Sequence, residues 1–142
     1  MRVVLDTAIM VAALRSDAGA SRRLLVAGLE RRIDLAVSVP LMFEYQAVLS
    51  RPEHLRASRL SVRDVGILLD AVAAVAAAVQ ISFLWRPVLP DPDDDMVLET
   101  AANGRAEAIV TFNARDFRAG AARFGIGVWT PGFTARRLGE DR

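Results

Sequence analysis

Short runs of apolar and β-branched residues alternate with helical stretches along the whole chain. The first run, Val3-Val4-Leu5, has the composition of a fully buried strand, and an apolar helical stretch follows it. Four more strands are predicted, at residues 35–39, 81–84, 108–111 and 126–129. Strands that alternate with helices pair in parallel, because a helix makes each crossover connection. The sequence therefore predicts a three-layer α/β/α domain with a mostly parallel sheet of four to five strands.

Helix-start and helix-end signals divide the rest of the chain. The predicted helices span residues 9–14, 20–29, 41–49, 62–79, 96–102 and 131 to about 138. Pro40 suits a first helical position, Ser61 suits an N-cap, and Asn103-Gly104 has the form of a helix end at a C′ glycine. We find no repeat, linker or break in composition, so residues 1–142 are interpreted as one domain.

Composition excludes several classes of function. The chain has no Cys, so disulfides, thiolate catalysis and Cys-based zinc sites are excluded. All 18 basic residues are Arg, but the net charge is only +1, so any contact with nucleic acid must come from local patches. No apolar run reaches the length of a membrane span. We expect a cytoplasmic protein that does not bind membranes.

The run Asp91-Pro92-Asp93-Asp94-Asp95 places four carboxylates within five residues, just before a predicted helix. Such a cluster is tolerated when water solvates it at a helix N-terminus, or when a cation neutralises it. Helical spacing puts Asp94 at the head of an apolar stripe that faces the sheet, so Asp94 is the favoured metal ligand and Asp95 the next. Asp91 is interpreted as a solvated, capping or supporting residue.

Two other acids stand where folding alone would favour other residues. Asp6 directly follows the first strand, and Glu44 lies beside the apolar stripe of a helix. Carboxylates that meet at the carboxyl edge of a parallel sheet suit a hard divalent cation. The alternatives are that Asp6 is only a helix N-cap and that Glu44 is a partly solvated residue at the rim of the stripe.

Polar residues follow the fourth predicted strand as well. The amide oxygen of Asn113 can ligate a cation or orient a water molecule, although an ordinary turn or cap residue fits equally well. Thr7 and Thr111 stand at strand ends, where they can hydrogen-bond to the carboxylates or simply pack in the sheet. Asp116 comes three residues after Asn113 and is a second supporting acid.

The remaining polar and aromatic residues have weaker signals. His54, the single histidine, is interpreted as a surface residue in a loop, which leaves His-based triads and His-metal sites unsupported. Trp85 and Trp129 are interpreted as core or rim anchors. Four arginines near the expected site are candidate phosphate contacts: Arg51, Arg86, Arg115 and Arg118.

Several segments together resemble the PIN domain, in its branch of VapC-like toxins of toxin–antitoxin pairs. They occur in the family's order and span nearly the whole chain. The segments are Val3-Val4-Leu5-Asp6-Thr7, the stretch from Val39 through Glu44-Tyr45 to Pro52-Glu53, the acidic run at 91–95, and residues 108–113 with Asp116-Phe117.

The resemblance implies a Rossmann-like PIN fold and Mg²⁺- or Mn²⁺-dependent cleavage of RNA. It implies that Asp6, Glu44 and Asp94 are the acidic metal ligands, and Asn113 falls where many members have a fourth acid. It further implies a cognate antitoxin and a homodimer.

Two positions depart from the pattern of the family. The first motif usually reads Asp-Thr-Asn, but position 8 is Ala, and Asn113 takes the place of an acid. Asp116 or Asp95 is a candidate to compensate for the missing charge. The departures motivate a second reading, in which the chain is a catalytically impaired PIN-like module that binds a protein or RNA.

Overall fold

A computed structural model describes residues 1–82, 89 and 94–140 of the chain. Within these residues, five strands alternate with eight helices. The strands are β1 (Arg2–Leu5), β2 (Asp34–Val37), β3 (Ala77–Ala78), β4 (Ala108–Val110) and β5 (Gly127–Trp129). The helices are α1 (Thr7–Arg15), α2 (Ala20–Leu29), α3 (Val39–Leu49), α4 (Pro52–Ser58), α5 (Val62–Val75), α6 (Asp95–Asn103), α7 (Ala114–Ala122) and α8 (Pro131–Glu140).

The strands form one sheet in the order β3-β2-β1-β4-β5, and every pairing in it is parallel. Val3, Val4 and Leu5 pair with Ala108, Ile109 and Val110 along β4. All six residues are buried, so helices cover both faces of the sheet at its centre. The predicted α/β fold with a parallel five-stranded sheet is confirmed. Among the described residues, no helix combines the length and the apolarity that a membrane span requires.

Serine caps begin two of the helices, and the cap at Ser61 agrees with the sequence prediction. The Ser38 side chain accepts a hydrogen bond from the backbone of Leu41, and Pro40 occupies the first turn of α3. Ser61 and Asp64 form a reciprocal capping box at the start of α5. These caps fix the starting points of the helices that pack beside the sheet.

The third strand differs from its prediction. Residues 62–79 were expected to be one helix and 81–84 a strand, but α5 ends at Val75 and β3 consists of Ala77 and Ala78. Ala76 is extended, and Ala77 and Ala78 pair with Ala36 and Val37 of β2. Pairing with the sheet edge overrides the strong helical preference of alanine. Ile81 and Ser82 are not in a strand, and residues 83–84 lie outside the described residues.

Two helices and one helix end also differ from the predictions. Residues 51–54 and 113–118 were not expected to be helical, yet α4 begins at Pro52 and α7 at Ala114. Gly104 has a φ of −86°, and the left-handed conformation falls on Arg105 instead, with a φ of 53°. Glycine is needed at 104 for space, since a Cβ there would lie 2.6 Å from a methyl group of Val79 and 2.8 Å from the Thr100 carbonyl.

Candidate functional site

A cavity of about 400 Å³ opens where β1 and β4 end. Three walls come from α1, α3 and α4, and the starts of α6 and α7 complete it. The residues that line it are Asp6, Thr7, Ala8, Val11, Glu44, Val48, Arg51, His54, Asp94 and Asn113. Four side chains predicted for one site, those of Asp6, Glu44, Asp94 and Asn113, thus share one cavity although they belong to different elements.

Asp6 is held at the base of this cavity by the neighbouring strand. Its backbone N–H donates to the carbonyl of Val110, 2.9 Å away, and its carboxylate accepts a 2.7 Å hydrogen bond from the Thr111 hydroxyl. The residue is 6% exposed, so the orientation of the carboxylate is closely restricted. Thr111 therefore makes the carboxylate contact expected for it, and Thr7 lines the cavity beside Asp6.

The same hydroxyl group also positions Asn113. The backbone N–H of Asn113 donates to the Thr111 hydroxyl oxygen at 2.9 Å. One buried threonine thus donates to an acid that follows β1 and accepts from a residue that follows β4. The side chains of Asp6 and Asn113 enter the cavity from two adjacent strand ends.

Glu44 reaches the cavity because its neighbour anchors α3. The buried Tyr45 hydroxyl donates to the carbonyl of Leu5, the last residue of β1. Leu41, Tyr45 and Val48 form the buried face of α3, and Glu44 stands half-buried at the edge of that face. Burial, and secondarily the negative charge of Asp6, raise the pKa of the Tyr45 phenol well above its ordinary value. The phenol therefore remains a hydrogen-bond donor beside the acids.

Asp94 enters from the N-cap of α6, which is tied to α3 by buried hydroxyl groups. The Oγ atoms of Ser38 and Thr100 lie 2.7 Å apart, and Thr100 donates in turn to the carbonyl of Met96. Because α3 carries Glu44 and α6 follows Asp94, this contact restricts the relative position of two acids in the cavity.

Three of the acidic and amide residues of the cavity stand at helix N-caps without acting as caps. Asp6 precedes α1, Asp94 precedes α6 and Asn113 precedes α7, and none of these side chains makes a capping hydrogen bond to its own helix. Capping is the usual reason for Asp or Asn at this position. The N-cap alternative for Asp6 thus fails, because its carboxylate contacts Thr111 instead. The positive ends of these helices still favour the negative charges near them.

Asp95 does not lie where the sequence suggested. The stripe argument pointed Asp94 towards the sheet, but Asp95 is the buried residue, only 1% exposed, and it does not line the cavity. One of its carboxylate oxygens accepts from the backbone N–H of Leu89 at 3.0 Å, and the other has no hydrogen-bond partner in the described part of the chain. Of the two acids, Asp94, which the sequence favoured as the ligand, is the one that lines the cavity.

The other predicted residues are divided between the cavity and its surroundings. Arg51 lines the cavity, whereas Arg115, Asp116 and Arg118 are exposed on α7 and do not line it. Asp91, Arg86 and Trp85 lie outside the described residues. Trp129 is half-buried in β5 and packs against the Phe133 ring at 5.4 Å, consistent with an anchor at the rim of the core.

His54 is the cavity residue that sequence reasoning missed. It was expected at the surface of a loop, but it lies in α4, is half-buried and lines the cavity with the acids. The signal was available, because Pro52 followed by Glu53 is a typical first helical turn. With Pro52 interpreted as a helix terminator only, the inward position of His54 could not be foreseen.

The donor set fits a hard divalent cation. Carboxylate oxygens of Asp6, Glu44 and Asp94 and the amide oxygen of Asn113 suit Mg²⁺ or Mn²⁺. Across residues 1–82, 89 and 94–140, no three His, Asp or Glu side chains are close enough to form a ready-made metal cage. The acids therefore share the cavity without forming a complete ligand set by themselves.

Comparisons with known proteins agree with this architecture. The family model described as the PIN domain matches residues 2–115. A chain in the crystal structure of VapBC2 from Rickettsia felis bound to a DNA fragment from their promoter superposes with a TM-score of 0.60 at 16% sequence identity. The superposition covers 92% of this chain and 98% of that one, so the two share a fold. No curated protein matches the sequence significantly. Since the family model covers most of the chain, the protein belongs to the PIN domain family.

Proposed function

We propose that the protein is a metal-dependent endoribonuclease that hydrolyses RNA phosphodiester bonds. The observation that supports this proposal most directly is the shared cavity of Asp6, Glu44 and Asp94, three acids that reach it from separate elements. Family membership adds support, because the resemblance to PIN-domain toxins implies the same reaction. The chain has no Cys, and no protein nucleophile is needed when metal-activated water attacks the phosphorus.

In this proposal each cavity residue has a defined task. Asp6, Glu44 and Asp94 would hold Mg²⁺ or Mn²⁺, and the Asn113 amide would orient water beside them. The bound ion would supply Lewis-acid activation of water and stabilise charge on the phosphate oxygens. Thr111 keeps Asp6 in place through its hydrogen bond. Attack by water predicts products with 5′-phosphate and 3′-hydroxyl ends.

The test is cleavage of RNA in Mg²⁺ or Mn²⁺, with and without EDTA. We expect Asp6→Asn and Asp94→Asn to abolish cleavage, because each removes a charged ligand but keeps the size of the side chain. Asp116→Asn is the matched control, since Asp116 is exposed and does not line the cavity. Unchanged cleavage in both cavity variants would rule out the mechanism.

A second candidate is a catalytically impaired module that binds a protein or RNA. Two observations favour it: Ala8 lines the cavity where the family has a polar side chain, and Asn113 replaces an acid. Calorimetric titration with Mn²⁺ distinguishes the two. No binding at millimolar Mn²⁺ supports the module, whereas a gain of cleavage in Ala8→Asn identifies a weakened enzyme.

We further propose that the protein is the toxin of a toxin–antitoxin pair and forms a homodimer. The shared fold with a chain of a VapBC2 structure supports the toxin role, and the family resemblance implies the homodimer. A cognate antitoxin is expected to lay a helix or an Arg-bearing tail across the acidic cavity. Co-expression with a small reading frame directly upstream should yield a complex that co-purifies and does not cleave RNA. Light scattering of the isolated protein tests the homodimer.

A further inference from the structure

We propose that Arg51 and His54 bind a backbone phosphate of the RNA strand, at the wall that α4 contributes to the cavity. This inference rests on the proposed function and adds a substrate-binding role for His54. The phosphate meant here neighbours the scissile one. Its position along the strand is what the experiment below determines.

The state of the His54 ring is the first observation. The side chain lines the cavity, and its Nδ1 atom is buried without a hydrogen-bond partner. No hydrogen bond from the other ring nitrogen occurs among the described residues either. A half-buried histidine with a purely structural role normally has a bonded ring nitrogen. Nδ1 is closed to solvent, so the other ring nitrogen, which is not among the buried atoms, is the one available to a ligand in the cavity.

The state of Arg51 is the second observation. It lines the same cavity as three carboxylates, yet no ion pair joins its guanidinium to any acid of the described residues. Three described arginines, Arg22, Arg32 and Arg137, form ion pairs, and Arg51 is not among them. Arg51 thus retains all its donors, and a guanidinium is well suited to phosphate oxygens.

The backbone of α4 holds these two groups on one wall. Arg51 is the N-cap residue, Pro52 occupies the first helical position, and His54 follows within the first turn. Proline fixes its own φ near the helical value, so the start of the helix is rigid. The positively charged side chain of Arg51 and the hydrogen-bonding side chain of His54 therefore lie together on the α4 wall of the cavity.

The charge of the cavity explains why such a contact is needed. Carboxylates repel a polyanion, and a bound cation offsets that repulsion at the scissile phosphate alone. A strand that passes through the cavity brings further phosphates near the same acids. Protein contacts to flanking phosphates fix the register of a nucleic acid, and arginine is the usual donor.

The experiment combines protein variants with a scan of neutral phosphates. The ligands are a set of fluorescein-labelled single-stranded RNAs, each with one neutral methylphosphonate at a different position and a 2′-deoxy sugar beside it. The control for each RNA has the same 2′-deoxy sugar and a normal phosphate. Affinity is measured by anisotropy in Ca²⁺, with intact RNA verified on a gel. The proteins are wild type, Arg51→Ala, His54→Ala, His54→Gln and the control Arg56→Ala, which is exposed on α4 and does not line the cavity.

Loss of a charge-assisted hydrogen bond should lower the affinity for RNA about tenfold. We expect this loss when Arg51→Ala or His54→Ala binds unmodified RNA, and when the wild type binds RNA with one particular phosphate modified. With the RNA modified at that phosphate, the Arg51 and His54 variants should bind no more weakly than the wild type. Arg56→Ala should have the affinity of the wild type for every RNA. If His54→Ala is unfolded by circular dichroism, Arg51→Ala and His54→Gln provide the same comparison.

The inference is overturned if the loss from the protein substitution and the loss from the modified phosphate add in full. It is also overturned if no phosphate is sensitive to modification, or if the wild type does not bind RNA. A drop in Mn²⁺ affinity for His54→Ala also overturns it, since His54 would then be a metal ligand. Cleavage by wild type in Mn²⁺ is scored separately. If the wild type cleaves RNA but the losses from the protein substitution and the modified phosphate add, the proposed function stands and this inference fails. If the two losses do not add and no cleavage occurs, this inference stands and the proposed function fails.

Discussion

The Thr111 hydroxyl donates a 2.7 Å hydrogen bond to the Asp6 carboxylate across 105 residues of sequence. Both residues are buried, and the same oxygen accepts from the backbone of Asn113. The contact joins the ends of the two central strands at the point where the cavity begins. It follows that the orientation of a candidate metal ligand depends on a residue that does not itself line the cavity.

Replacing Thr111 with valine should therefore affect both stability and metal binding. The change keeps the shape but removes the Thr111 hydrogen bond to the buried Asp6 carboxylate, so we expect a loss of about 1–3 kcal/mol in the free energy of unfolding. Mn²⁺ affinity should fall by roughly 10–100-fold, as for partners that orient metal ligands. Urea denaturation and calorimetry measure the two effects.

Thr134→Val is the control for this prediction. Thr134 is equally buried and lies in α8, away from the cavity. Its hydroxyl donates to the carbonyl of Thr130, the residue before that helix. Its substitution should leave Mn²⁺ binding unchanged. Equal Mn²⁺ affinity in Thr111→Val and wild type would show that the hydroxyl does not position Asp6 for a metal.

Repulsion among the cavity acids should lower stability when no cation is present. Glu44 has no partner among the described residues, so Glu44→Gln removes a like charge without breaking a contact. We expect a gain of roughly 0.5 kcal/mol in metal-free buffer, the size of a typical exposed charge pair. Mn²⁺ should raise the Tm of wild type more than that of the variant.

Glu53→Gln provides a control of opposite sign. Glu53 is exposed in the first turn of α4, where a negative charge favours the helix. Its loss should slightly lower the Tm and leave the Mn²⁺ response intact. Scanning calorimetry with and without Mn²⁺ measures all three proteins. A lower metal-free Tm for Glu44→Gln would contradict the repulsion.

Alkaline pH should destabilise the protein through Tyr45. Burial and the Asp6 charge raise the pKa of the folded phenol, while the unfolded phenol ionises near pH 10. The contribution of the Tyr45 phenol to the free energy of unfolding is thus fully present below about pH 10. Above that pH it is lost at up to about 1.4 kcal/mol per pH unit. The chain has neither Lys nor Cys, so no other side-chain type titrates in this range.

Tyr45→Phe separates this effect from general alkaline unfolding. The variant should lose about 1 kcal/mol at pH 7, with the hydrogen bond to Leu5, and show a flatter decline above pH 10. Tyr45 is the single tyrosine, so tyrosinate absorbance in wild type should rise only as the fold is lost. A tyrosinate signal from the native state near pH 10 would contradict the raised pKa.

Two glycines in helical conformations should respond oppositely to alanine. Gly104→Ala brings a Cβ to 2.6 Å from Val79, so we expect a loss of about 1–3 kcal/mol. Gly66 lies inside α5, and nothing is within 4 Å of its Cβ position, so Gly66→Ala should gain about 0.5–1 kcal/mol. Urea denaturation gives both values, and a stable Gly104→Ala would show that β3 and α6 can separate.

The order of elements was predictable because it depends on local patterns. Buried β-branched runs such as 3–5 and capped amphipathic stretches such as the start of α5 have strong signals. The strand at Ala77–Ala78 was not predictable, because alanine favours helices and only the neighbouring β2 makes it extended. The start of α7 was hidden by polar residues, although Phe117, Gly120 and Ala121 have the spacing of a buried helical face.

The candidate site was predictable in outline and uncertain in detail. Strand ends locate Asp6 and Asn113 at one edge of a parallel sheet without any knowledge of packing. Choosing between Asp94 and Asp95 required the first residue of α6, which a spacing argument fixes only within a residue or two. The Pro52-Glu53 pair could have indicated that His54 is helical, but its inward position depends on how α4 packs beside α1, which is a tertiary contact.

The contact between Asp6 and Thr111 also has a consequence for biosynthesis. The threonine that orients the carboxylate is synthesised 105 residues after it. The acidic cavity therefore cannot assemble on a growing polypeptide until β4 has emerged and paired. Under the proposed function, this order of synthesis would keep the nuclease inactive until β4 is in place.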